Sequence, residues 1–171
     1  MKKTKYIIFS TLLLFGLMFI THFGYEVLPN FFTSLLFPVN ESIMEHIKMI
    51  YITYLIYFII LYFYKKNKFR NYPSSFLLTS IFNIVLYLAI YLPLFNILGE
   101  NMFITISLLF LSILASSFVS YKLLTVRDNY TLNTLSIIVG IVVFIVFGLL
   151  TYNPPEYYLW YDFQDNYYGI K

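Results

Sequence analysis

The chain has 171 residues, of which 60% are hydrophobic and 11% charged, with no cysteine and a formal net charge of +3. An ordinary soluble domain carries about 25% charged residues and a disordered chain has low hydrophobicity, so both classes are excluded. Disulfides, thiolate metal sites and thiol nucleophiles are excluded as well, and a mean hydropathy of +0.77 indicates a chain that stays in lipid.

Five apolar segments, 6–23, 47–64, 74–94, 102–121 and 132–152, approach the length of about 20 residues that a bilayer crossing requires. Backbone amides find no water in hydrocarbon, so each segment is predicted to be helical. The expected fold is an all-α integral membrane protein: one polytopic domain over 1–171, a five-helix transmembrane bundle with a short interfacial helix between the first two spans. The basic start followed by an apolar run looks like a signal peptide. Phe19-Ile20-Thr21-His22-Phe23-Gly24 offers no A-x-A-like cleavage site, so the run reads as a retained first helix.

Orientation follows from the positive-inside rule. Lys2, Lys3, Lys5, Lys65, Lys66, Lys68, Arg70, Lys122 and Arg127 fall on one side, with Asp128 as the sole acid. The other side has Lys48 and Lys171 against Glu26, Glu41, Glu45, Glu100, Glu156, Asp162 and Asp165. The N-terminus is therefore expected in the cytoplasm and the C-terminus outside. Basic loops of this kind sit on anionic headgroups of the lipid bilayer, and no nucleic-acid partner is expected.

Three stripes mark helix faces. Ser112, Ser116 and Ser120 in the fourth span, and Ser136, Gly140 and Gly148 in the fifth, are small residues that let backbones approach, and read as packing. Thr79, Asn83, Tyr87 and Tyr91 recur every four residues in the third span and must face protein or a wet cavity.

The segment between the first two spans holds the chemistry. Leu28, Phe31, Phe32, Leu35 and Leu36 form an amphipathic stripe, with Pro29 in the first turn and Pro38 as the stop. Too short to span, this element is expected at the outer interface. Ser42-x-x-Glu45 then reads as a capping box opening the second span. On a helix Glu41, Glu45 and Lys48 lie within about 60° of one another, one charge-paired face, while His46 lies about 100° away from it. His22 and Glu26, four apart, point the same way if helical. The only two histidines thus stand at the outer ends of adjacent helices. Three readings follow: a metal site of His22, Glu26 and His46 with a divalent ion such as zinc; acid–base chemistry with a histidine base and a carboxylate to orient it; or capping and packing without chemistry.

After the fifth span Asn153-Pro154-Pro155 breaks the helix. Tyr157, Tyr158, Trp160, Tyr161, Phe163, Tyr167 and Tyr168 then suit the headgroup level. Asp162 and Asp165 are within reach of the site at the first two spans, but read first as solvated acids between these aromatics, since exposed acids need no partner; Gly169 reads as a tight turn.

The run Pro38-Val39-Asn40-Glu41-Ser42-x-x-Glu45-His46-x-Lys48, with His22-Phe23-x-Tyr25 before it and Pro154-Pro155 and Tyr168-Gly169-Ile170 after it, resembles an uncharacterised family of small multi-pass membrane proteins of low-G+C Gram-positive bacteria. The resemblance implies a bacterial plasma membrane location and a common role for the loop and the tail, and no activity. The functional expectation is a polar site at the extracytoplasmic face, with His22, Glu41, Glu45, His46 and Lys48 as catalytic candidates. It would perform metal-dependent hydrolysis or transfer on a lipid or lipid-linked substrate. The alternative is a membrane accessory, immunity or interaction protein with a protein partner, in which the same residues cap and pack helices.

Overall fold

The computed structural model describes residues 2–65, 68–99 and 101–170. Lys66, Glu100 and Lys171, which enter the orientation argument, lie outside the described residues. The helices are α1 (Lys3–His22), α2 (Gly24–Val27), α3 (Phe31–Leu36), α4 (Ile43–Lys65), α5 (Tyr72–Leu98), α6 (Met102–Thr125) and α7 (Tyr130–Tyr152). A single 3-10 turn, Tyr158–Trp160, leads into a hairpin of β1 (Tyr161–Asp162) and β2 (Tyr167–Tyr168). Helices α1, α4, α5, α6 and α7 are each long and apolar enough to cross a membrane.

The elements run past the expected boundaries for local reasons. Helix α4 begins at Ile43 because Ser42 Oγ accepts the Glu45 amide at 3.4 Å. Asn101 and Asn129 cap α6 and α7 by accepting the amides of Ile104 and Leu132. Helix α5 passes through Pro93 at the loss of one backbone bond and ends at Gly99, whose φ is +70°. The short helix starts later than the stripe implied. Asn30 is its cap, accepting the Phe32 and Thr33 amides at 2.9 and 3.1 Å, so Pro29 precedes the helix rather than opening it.

Helices α1, α4, α5 and α6 close a ring, each packed on two neighbours, while α7 lies against α5 and α3. Small residues make the ring close. The serine stripe of α6 leaves room for tyrosine rings from α1 and α4: Tyr6 bonds Ser120 at 2.5 Å and Tyr54 bonds Ser116. Ser10 bonds Tyr57 and Thr21 bonds Thr53 across α1 and α4, at 2.6 and 2.7 Å. Thr79 and Asn83 are buried and Asn83 donates to Ser112 at 3.2 Å, so this part of the polar stripe of α5 faces protein. Tyr51 of α4 donates to the carbonyl of Gly140 on α7 at 2.7 Å. Thus α1, α4 and α6 are joined by hydroxyl pairs; Ser116, Thr21 and Thr53 also bond carbonyls of their own helices, whereas the phenols of Tyr6, Tyr54 and Tyr57 take their partners from across the ring.

The chain runs up and down, so the start of α1, the end of α4, the start of α5, the end of α6 and the start of α7 share one end, the basic end; the Arg70 amide bonds the Leu124 carbonyl there at 3.0 Å. His22 and His46 stand at the opposite, histidine end.

Candidate functional site

Helix α1 stops at His22. Phe23 leaves the helical region (ψ 0°), and the chain turns into the four-residue α2. Gly24 makes the turn possible: a Cβ there would meet the Phe37 ring at 2.4 Å. Glu26 rides on α2 and is exposed, so the i, i+4 register with His22 does not continue through the break. The expected group of His22, Glu26 and His46 is therefore not the one that forms. Its carboxylate comes instead from Glu41, in the loop that precedes α4. Ligand atoms of His22, Glu41 and His46 all lie within 4.8 Å of one another. His22 Nε2 is 3.8 Å from Glu41 Oε1, and His46 Nε2 is 3.4 Å from Glu41 Oε2. Around a tetrahedral zinc with bonds of about 2.0–2.1 Å, ligand atoms stand roughly 3.4 Å apart.

The loop that carries Glu41 is built from side chain to backbone bonds. Asn40 Oδ1 accepts the Ser42 amide at 2.9 Å, an Asx turn. The Ser42–Glu45 box is only half formed: Ser42 caps Glu45, while the Glu45 carboxylate turns away. His46 Nδ1 stands 2.9 Å from the Ser42 carbonyl. A carbonyl only accepts, so Nδ1 carries the proton and Nε2 faces Glu41. A neutral ring would then aim a lone pair at a carboxylate. A proton on Nε2, or a cation held between the two, removes that repulsion.

Glu45 and Lys48 form a second, separate cluster. Lys48 is fully buried; its ammonium pairs with Glu45 Oε2 at 2.5 Å and donates to the Ser34 carbonyl and Thr151 Oγ1, both at 2.8 Å. Thr151 donates to Glu45 Oε1 at 2.8 Å and the Val39 amide to Glu45 Oε2 at 3.1 Å. The three protons of the ammonium are all used. This cluster ties α3, α4, α7 and the loop together, while Glu41 pairs with the two histidines, so the face on which the sequence placed Glu41, Glu45 and Lys48 together is divided between two sets of partners.

A cleft of about 620 Å³ opens beside the histidine pair. His22, Glu41 and His46 form its polar wall with Gln164, and Phe15, Ile50, Tyr87 and Leu109 stand among the residues from α1, α4, α5 and α6 that continue it into the helix ring. Tyr87 and Tyr91 stack in this wall with centroids 5.2 Å apart.

The tail corrects one expectation. Asp162 is not a solvated acid: it is 1% exposed. Its Oδ1 accepts the Gln164 and Asp165 amides at 2.8 and 3.0 Å, and its Oδ2 accepts the Glu41 amide at 3.0 Å. Asn40 Nδ2 donates to the Gly169 carbonyl at 2.8 Å. Sequence reasoning also passed over Thr151 and Gln164. An aspartate two residues before Gln164 in a tight turn is the signature of an Asx turn, and would have flagged Asp162 as bound rather than solvated.

Five long apolar helices with a buried polar cluster at one end fit a multi-pass membrane protein. The chain belongs to DUF6512, a family of unknown function that matches residues 1–170. No curated protein and no solved structure matches it.

Proposed function

We propose that this is a multi-pass protein of a bacterial plasma membrane, with the basic end in the cytoplasm and the histidine end outside. Its site of His22, Glu41 and His46 holds a divalent ion such as zinc and acts by hydrolysis or transfer on a lipid or lipid-linked substrate. The observation that carries this reading is the junction of two features. A two-histidine, one-carboxylate cluster, its ligand atoms within 4.8 Å of one another, sits in the wall of a cleft lined mostly by apolar residues of the long helices. In this frame α3 lies at the outer interface, where exposed Phe31 and Phe32 meet lipid.

A bound divalent ion would supply a Lewis acid and an activated water. The Ser42 carbonyl holds the His46 ring so that Nε2 points at the site, and the Glu41 carboxylate stands between the two rings as the anionic ligand. Hydrolysis adds the oxygen of water to the ester carbon or phosphorus, breaks the bond to the leaving oxygen, and returns a proton to that oxygen. Lys48 is not available to steady the developing charge, since Glu45, Ser34 and Thr151 consume its protons.

The test is the metal content of the detergent-purified protein. About one transition metal per chain is expected, lost in His22→Ala, His46→Ala and Glu41→Ala and kept in Glu26→Ala. A metal-free parent after incubation with zinc overturns the metal reading. The second reading, a non-enzymatic accessory protein, is favoured by the Glu45–Lys48 cluster, in which motif residues serve only to join helices. It predicts a metal-free parent that co-purifies with another membrane protein and tolerates His22→Ala.

A further inference from the structure

The C-terminal hairpin has two residues in each strand, too few to stand alone in water. Part of what holds it is the loop that carries Glu41. The Asp162 carboxylate is buried and pairs with no lysine or arginine among the described residues. Three N–H groups neutralise it instead, two from the hairpin's own turn and one from Glu41. Beside it Asn40 grips the Gly169 carbonyl. Gly169 has φ +71° and packs so closely that a Cβ would lie 3.1 Å from Pro154 Cγ. Glu41 itself precedes α4, so no helix bond fixes its backbone. Its amide is held by Asp162 and its preceding residue by Gly169. Gln164, in the same turn, reaches the cleft wall.

We propose that Asp162 is a positioning residue of the histidine site: the hairpin, through Asp162 and with Asn40–Gly169 as a second tie, sets where the Glu41 carboxylate stands between the two imidazoles. The zinc readout below rests on the metal reading; the positional claim does not. One carboxylate oxygen serves the hairpin and the other serves the loop. Asp162→Asn keeps the shape but replaces one acceptor with an NH₂ group that faces an N–H donor, so one of the two connections is lost. Gly169→Ala attacks the second tie from the opposite side and leaves Asp162 in place.

The experiment measures two things in Asp162→Asn and Gly169→Ala. The first is zinc affinity of the detergent-solubilised protein. Loss of an outer-shell partner weakens metal binding about 10- to 100-fold, and that loss is expected in Asp162→Asn, with the thermal midpoint of the helices within a few degrees of the parent. The second is the mobility of a spin label on Glu41→Cys, clean because the chain has no cysteine. The label keeps the backbone amide that Asp162 accepts, and its mobility is expected to rise in both variants. Unchanged mobility in both variants overturns the proposal, even if zinc affinity falls. Mobility that rises in a protein whose parent binds no zinc supports the positional claim and removes the metal reading alone.

Discussion

Lys48 and Asp162 are 0% and 1% exposed, and the protein neutralises them in opposite ways. Lys48 meets a carboxylate and two neutral oxygens; Asp162 meets only amides. Removing one member of a buried ion pair strands the other charge, at a cost of about 3–5 kcal/mol. Lys48→Met is therefore expected to destabilise the protein by about that much, and Glu45→Gln in the same chain to recover part of the loss, measured as unfolding in detergent. Equal stability of Lys48→Met and the parent would show that the pair contributes nothing. His46 presents the same issue in milder form. Its Nδ1 proton is committed to Ser42, so whatever lies between Nε2 and Glu41 decides whether the contact attracts or repels.

Among the elements, the hairpin shows how a short piece of structure depends on others. Tyr167 lies opposite Asp162 in its register. Burial, then Asp162 and Asp165, push its phenol above the ordinary 10.0. The folded hairpin thus holds the proton more tightly than an unfolded one. Its stability is complete below pH 10 and declines as pH rises past that value. Mobility of a label at Glu41→Cys is expected to increase in alkali, and Tyr167→Phe to flatten that increase. An unaltered rise in Tyr167→Phe would assign it to other tyrosines. Helix ends obey the same logic of local satisfaction. The Ser42 cap is legible in the sequence, while the asparagine caps of α3, α6 and α7 and the end of α1 at Phe23 are not read from it, and the close approach of Gly24 to Phe37, thirteen positions along the chain, is visible only in the fold.

For the whole molecule, orientation decides which compartment the histidine cluster faces. Tyr157 at the histidine end is 69% exposed and Tyr130 at the basic end 84%. In intact cells a membrane-impermeant thiol reagent is expected to label Tyr157→Cys, and to label Tyr130→Cys only after permeabilisation. The reverse pattern would place the cluster in the cytoplasm and end the argument for an extracytoplasmic substrate.

Five spanning-length helices and their approximate limits follow from composition and hydropathy alone, because apolar runs of about 20 residues match a helix that satisfies its own backbone rather than the shorter strands of a barrel. That both histidines stand at one end follows from counting spans. The choice of Glu41 over Glu26, the diversion of Glu45 and Lys48 into their own cluster, and the burial of Asp162 do not follow from spacing. Each turns on contacts between residues far apart in sequence: Glu41 with Asp162, Asn40 with Gly169, Lys48 with Thr151. Helical periodicity says which way a side chain points while the helix lasts. Where a helix breaks, as at Phe23, or has not yet begun, as at Glu41, direction is set by the partner that satisfies the backbone, and only the tertiary structure supplies it.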